Sequence, residues 1–262
     1  MKILIMGGTG DALLIAQSLI AAKHNVTYSI AGIVRQPQLD CRILSGGFRV
    51  QQAPEGEKHF DDGAQGLQWH LGAEAYDLVV DATHPYAVQI SNNIVVASKK
   101  SGIPVWRYLR AAWENSSTED STEKAWQEFA SLEELISQLK LYKRPFFTVG
   151  RLIFSRTDLR EPHQHWLVRS AGVETANSSD ISEIKAVGPF KLDDEMALLT
   201  VYGIDVLISK NSGGEAVAAK LEAAKQLGIP VFLLKRPEKA PVEQSFSSTQ
   251  ELIEQINNTF TG

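Results

Sequence analysis

Three short runs hold residue types whose spacing could do chemistry. The first is Gly7-Gly8-Thr9-Gly10-Asp11-Ala12. Glycines there let the backbone turn tightly and bring amides up to a pyrophosphate, beside the positive end of the following helix. Gly8 and Gly10 fit the first two positions of Gly-x-Gly-x-x-Gly, while Leu13 stands at the third. The run is therefore a candidate dinucleotide cradle of Gly8, Thr9, Gly10, Asp11 and Ala12, with a plain strand-to-helix turn as the alternative. The second run is Asp81-Ala82-Thr83-His84-Pro85-Tyr86. Thr83 is suited to cap a helix and Pro85 to open it, which leaves Asp81, His84 and Tyr86 to explain. Thr83 and His84 are candidate contacts to a cofactor ring. His84 and Tyr86 are candidate proton donors, but no partner geometry marks either, and the catalytic group stays unassigned. The third run, Lys210-Asn211-Ser212-Gly213-Gly214, offers amides, a hydroxyl and a cation to an anion, with a capped turn again the alternative.

Other basic residues recur near predicted strand ends. Arg107, Arg110, Arg151 and Arg236, with Lys210 through Gly213, would suit a ligand bearing many carboxylates. The second strand ends Tyr28-Ser29-Ile30-Ala31-Gly32 without the Asp or Glu that usually holds a ribose 2′-hydroxyl. Ser29, Gly32 and Arg35 suit a 2′-phosphate instead, so the sequence leans to NADPH with NADH possible. Arg35 as a solvated loop residue is the competing account. The six histidines have no metal-binding spacing, and no metal is expected.

Loops of this kind need strands and helices to position them. Short β-branched runs alternate with helical patterns: strands at 2–6, 26–30, 77–81, 104–108, 145–149, 165–169 and 205–209, and helices at 11–22, 85–100 and 132–141. That alternation predicts an α/β protein with parallel sheets. The segment Ala97 to Trp106 is echoed by Ala223 to Phe232, each containing Gly-Ile-Pro-Val. Common turn chemistry explains those four residues, yet the matching strands before them favour two related domains. The expected division is 1–114, a polar linker at 115–127, and 128–262.

Composition narrows the function classes. Of 262 residues, 44% are hydrophobic and 22% charged, which gives an ample core and argues against disorder. A net charge of −5 without a basic run argues against nucleic-acid binding. Cys41 is the single cysteine, so no internal disulfide forms. The apolar start is interrupted at Gly7 and no later run spans a bilayer. The expectation is a cytoplasmic protein with no membrane partner.

In order, these motifs resemble the precorrin-6A and cobalt-precorrin-6A reductase family. The matching residues are Gly7 to Gly10, Ser29 to Gly32, Arg42 with Gly46-Gly47-Phe48, Asp81 to Tyr86, and Arg107 with Arg110 and Trp113. They continue with Val149-Gly150-Arg151, Gly188-Pro189-Phe190 with Glu195, Lys210 to Gly214, and Arg236-Pro237. The resemblance implies two Rossmann-like domains with a cleft between them. It also implies nicotinamide-dependent reduction of precorrin-6A, or its cobalt form, to the 6B product in cobalamin biosynthesis. The partner would be a tetrapyrrole with many carboxylates. One departure stands out: residues 49–65 intervene between Phe48 and Gly66, as a surface insertion or a lid. Two other classes compete. A dinucleotide-sensing module would use the glycine loop alone. A reductase of another small substrate, of the Tyr-x-x-x-Lys type, would need a pair the chain lacks: Ile90 follows Tyr86 and Ala112 follows Tyr108 at that spacing.

Overall fold

The computed structural model describes residues 1–32, 37–54, 56–114, 126–172, 179–214 and 218–260. They divide into two compact units, Met1–Arg110 with Pro237–Gly262, and Ala111–Arg236. The first unit opens with β1 (Lys2–Met6), α1 (Gly10–Ala21), β2 (Asn25–Ile30) and β3 (Arg42–Ser45). A hairpin of β4 (Val50–Ala53) and β5 (Gly56–His59) leads to α2 (Gly63–Glu74), β6 (Leu78–Asp81), α3 (Val88–Ser101) and β7 (Val105–Tyr108). The second unit holds β8 (Gln127–Phe129), α4 (Leu132–Ser137), β9 (Pro145–Phe147), a 3-10 segment (Gly150–Leu159), β10 (Trp166–Ser170) and β11 (Ile181–Lys185). It continues with α5 (Leu192–Val201), β12 (Val206–Lys210), α6 (Ala219–Gln226) and β13 (Val231–Leu234). The chain then returns to the first unit as β14 (Gln244–Phe246) and α7 (Thr249–Phe260).

Each unit is built on one six-stranded sheet, ordered β14-β7-β6-β1-β2-β3 in the first and β11-β10-β9-β12-β13-β8 in the second. Every pairing in both is parallel. Parallel strands covered by helices on both faces are apolar on both sides, as the Leu-Val-Val-Asp of β6 is. In the first unit Ile3, Ile5, Tyr28 and Val80 pack with Ile15 and Leu19 of α1 and Leu252 and Ile256 of α7. Leu4, Met6 and Val79 pack on the other face with Leu67 and Leu71 of α2 and Ile94 and Ala97 of α3.

The internal echo has a geometric basis. Gly102 and Gly228 both take positive φ, 69° and 66°. After them, Ile103 N donates to Ser98 O and Ile229 N to Ala224 O. Both helices thus end in the same left-handed turn before a strand. The partition of the chain differs from the expected boundaries at 1–114, 115–127 and 128–262. β8 follows β7 in sequence but pairs with β13, while β14 follows β13 but pairs with β7. The helix expected at 85–100 also starts later, at Val88, capped at Ala87 without a side-chain hydrogen bond. Thr83 does not cap it, because its hydroxyl is bound to Asp81.

Candidate active site

In the first sheet the strand order reverses between β1 and β6, the point where ligands of such sheets bind. The register sets Met6 level with both Ser29 and Asp81, so the loops after β1, β2 and β6 leave the same sheet edge. Gly7 N donates to Ser29 O at 2.8 Å. A Cβ on Gly7 would lie 2.2 Å from the Tyr28 ring, so only glycine fits over that tyrosine. Tyr28 Oη in turn accepts from Gly8 N at 3.0 Å, with Gly8 at φ +105°. Thr9 caps α1, its hydroxyl accepting from Ala12 N at 3.1 Å and donating to Ala82 O at 3.2 Å. The first-turn amides of Gly10 and Asp11 have no intrahelical partner to bind. A Cβ on Gly10 would meet nothing within 4 Å, which leaves open space where a pyrophosphate would approach. The residues present fit a dinucleotide there.

Asp81 organises the adjacent loop. Its carboxylate is fully buried and accepts from Thr83 N at 3.2 Å, Thr83 Oγ1 at 2.7 Å, Arg107 Nε at 2.8 Å and the Ser91 hydroxyl. Burial alone would raise its pKa, but the Lys239 charge and these hydrogen bonds outweigh burial and hold it below the usual carboxylate range. Lys239 Nζ donates to Thr83 Oγ1 and to His84 O, both at 3.2 Å. His84 Nδ1 accepts from Tyr86 N at 3.3 Å, which places the proton of a neutral ring on Nε2. Thr9, Asp11, Ala82, Thr83, Tyr108 and Arg110 line a narrow crevice at this edge.

Several expected ligand residues have other duties. Arg107 spends Nε on Asp81, Nη1 on Ala240 O and Nη2 on Ser91 Oγ, and is buried. It braces the loop from beneath and presents no nitrogen to a substrate. Arg110 lines the crevice beside the glycine loop, where it pairs with Asp11 at 2.7 Å. Ser29 is buried and contributes its carbonyl, whereas Gly32 is exposed with nothing near its missing Cβ. Arg35 lies outside the described residues.

The second unit has its own edge loop after β12. Lys210 ends that strand, and burial pulls its ammonium below the usual lysine range. Asn211 is buried. Its Oδ1 accepts from Trp113 N at 2.8 Å, and its Nδ2 donates to Trp113 O at 3.0 Å and Glu128 Oε1 at 2.7 Å. Arg236 donates to Asn211 O and Ala111 O. Gly213, at φ +65°, has Ala111 O only 2.0 Å from where a Cβ would sit. Its glycine is thus demanded by close backbone packing. Ser212 is also buried. Ala112, Trp113, Glu114, Trp126, Glu128, Asn211, Lys235 and Arg236 enclose a cavity of about 630 Å³, within the range of small-molecule sites. Arg151 is exposed at the start of the 3-10 segment, beside Gly172.

Three further residues, Tyr28, Lys239 and Lys220, stand out in the structure without having been marked by any motif. Arg169 ends the strand expected at 165–169, and Glu195 belongs to the motif with Gly188-Pro189-Phe190. Arg169 and Glu195 form a buried bidentate pair at 2.6 and 3.1 Å, with the guanidinium over Phe146 and Phe190. Lys220 of α6 is 7% exposed, with its ammonium 6.0 Å from the Trp113 ring centroid. Burial first, then Arg169 and Lys210, pushes its pKa down to about 8 against the opposing pull of Glu195. Among the described residues, no three His, Cys, Asp or Glu side chains converge as a metal site, and no helix is long and apolar enough to cross a membrane.

Residues 2–257 match the family model described as Precorrin-6x reductase CbiJ/CobK. The chain is 36% identical over 251 residues to a precorrin-6A reductase from Rhodococcus erythropolis, covering 93% of this chain and 92% of that one. It is 25% identical over 267 residues to a cobalt-precorrin-6A reductase from Priestia megaterium, covering 98% of each. A solved structure titled CobK precorrin-6A reductase superposes with a TM-score of 0.82 at 26% identity, covering 99% of this chain and 97% of that one. The glycine loop over Tyr28, the braced Asp81 loop and a match along almost the whole chain agree, and the chain belongs to the precorrin-6x reductase family.

Proposed function

We infer that this chain reduces precorrin-6A, or its cobalt complex, to the 6B form in cobalamin biosynthesis, using a nicotinamide. The observation that carries the reading is the cradle at Gly8 to Ala12, open at Gly10 and set beside the Asp81 loop, in a chain of this family. A bound nicotinamide supplies the hydride that adds to one carbon of the reduced double bond. Thr9 fixes the start of α1, so that the Gly10 and Asp11 amides face a pyrophosphate. Arg110 offsets the Asp11 charge beside that anion. Thr83 and His84, held by Asp81 and Lys239, are the contacts for the cofactor ring. His84 and Tyr86 remain candidates for the proton that completes the addition, and the proton donor stays unassigned. Lys210, Arg151 and Arg236 are cations for the acetate and propionate groups of the macrocycle, with polar groups of Asn211 and Ser212 beside them. NADPH is the preferred cofactor in this reading, and the reaction is cytoplasmic.

The test is anaerobic incubation with precorrin-6A or cobalt-precorrin-6A and each reduced cofactor, followed by mass spectrometry. A gain of two hydrogens by either macrocycle supports the reading. Both macrocycles unchanged with folded protein would sink it. Gly10→Val is the paired control. Its branched side chain fills the space left for the pyrophosphate, while Gly10 has an ordinary helical backbone that valine tolerates. Calorimetry should find the cofactor dissociation constant raised about tenfold or more, ~1.4 kcal/mol, with thermal stability little changed. A preference of the unaltered protein for NADH would overturn the assignment of NADPH.

A further inference from the structure

We propose that Lys220, with Arg169 and Lys210 beside it, forms an anion subsite in the second unit that takes one carboxylate of the macrocyclic substrate. The inference rests on the reading above for the identity of that substrate and adds a contact absent from the cations assigned there. Four charged groups from four elements meet within electrostatic reach: Arg169 of β10, Glu195 of α5, Lys210 of β12 and Lys220 of α6. Glu195 is the one acid among them, and both its oxygens are bound to Arg169. That pair is neutral, so within this group no acid is left for Lys220.

Lys220 is the informative member. Burying an ammonium costs free energy unless it is paired. Among the described residues no hydrogen-bond acceptor reaches Lys220 Nζ, and its aromatic neighbour, Trp113, lies at the outer limit of a cation–π contact. Arg169 also keeps Nε buried without a hydrogen-bond partner. A lysine held there without an acceptor makes sense when an anion arrives to pair with it. Its depressed pKa then becomes a reporter, because a bound carboxylate favours the charged form and must raise it.

The experiment follows the Lys220 side chain by NMR in protein labelled with carbon-13 at lysine Cε, the signal being assigned by its loss in Lys220→Met. In the free protein it should titrate near pH 8. Uroporphyrin, an octacarboxylate tetrapyrrole, should move that midpoint up by about one unit or more, and its methyl ester should leave it in place. No movement with uroporphyrin overturns the subsite, whether the porphyrin binds elsewhere or not at all. The kinetic arm separates this inference from the reading beneath it. If the unaltered protein turns over precorrin-6A, Lys220→Met should raise KM about tenfold, leave the NADPH dissociation constant unchanged, and be largely rescued by Lys220→Arg. An unchanged KM in Lys220→Met refutes the subsite while leaving the reductase reading intact. A wild type without turnover refutes the reading, and the NMR titration still decides the subsite.

Discussion

Asp81 shows how a buried carboxylate can shape a strand-end loop from within the protein. Every partner of its carboxylate is part of the loop or its support: Thr83 above, Ser91 on α3 and Arg107 on β7. With Lys239 reaching Thr83 and His84, the loop backbone is bound from two sides. Asp81→Asn would leave the Arg107 charge buried without its counter-ion, a change that typically costs about 3–5 kcal/mol. Urea denaturation should show a loss of that size. In the double variant Asp81→Asn, Arg107→Met, the second substitution should cost less than it does alone, since the two groups are in contact. Additive losses would show that the pair is not coupled. At this scale the sequence was legible where candidate residues lie in one contiguous run, as at Gly7 to Asp11 and Asp81 to Tyr86. It was illegible where a residue acts from a distant segment. Nothing in the spacing of Tyr28, Lys220 or Lys239 marks them, because their partners lie 20, 107 and 156 positions away at Gly8, Trp113 and Thr83. Arg107 misled for the same reason: a strand-end arginine looks free until its carboxylate is placed beneath it.

At the scale of elements, one carboxylate fastens three pieces of the first unit together. Glu74, at the end of α2, accepts from Lys2 of β1 and Arg42 of β3, both at 2.7 Å. The hydrogen bonds from Lys2 and Arg42 hold its pKa down to about 2. A carboxylate whose folded pKa is depressed adds stability above its unfolded value, which here is 4.5. That stability disappears as the pH falls from there towards 2. Glu74→Gln should therefore destabilise the protein at pH 7 by about 1–2 kcal/mol, the shift being discounted because Arg42 is half in solvent. The difference in thermal midpoint from the unaltered protein should close in acid. A gap that persists at pH 2 would mean that packing, and not charge, is responsible. The elements themselves were readable where long apolar runs repeat, as in β1, β6 and β12. The strands β8 and β14 were not, since each has three residues and a largely exposed, polar composition. Such strands carry no periodic signal, and their pairing is decided by the open edge they meet.

That edge pairing sets the organisation of the whole molecule. Because β14 and α7 belong to the first unit, Ala111–Arg236 is a continuous insertion within it. The inserted stretch supplies all six strands of its own sheet and its own core, including Phe146, Leu167, Leu207 and Leu233. The first unit, cut at Arg110, would lose an edge strand and the helix that buries Leu252 and Ile256 against β-sheet and α1. The echo between Ala97 to Trp106 and Ala223 to Phe232 disclosed two related units but not where the chain returns, because the return depends on sheet edges and not on local pattern. Residues 111–236 expressed alone should accordingly fold, with a cooperative urea transition and dispersed amide resonances. Residues 1–110 alone should be unstable, since exposing the face that Leu252 and Ile256 cover costs several kcal/mol, about 2–5 for each large side chain removed. Joining 1–110 to 237–262 through a flexible Gly/Ser linker should restore folding. It should also restore dinucleotide binding, because Gly8, Thr9, Gly10 and the Asp81 loop with Lys239 all belong to that unit. Calorimetric titration of the joined fragment with NADPH is the measurement. A fragment 1–110 that folds and binds as well as the joined form would show that β14 and α7 are dispensable additions to the first unit.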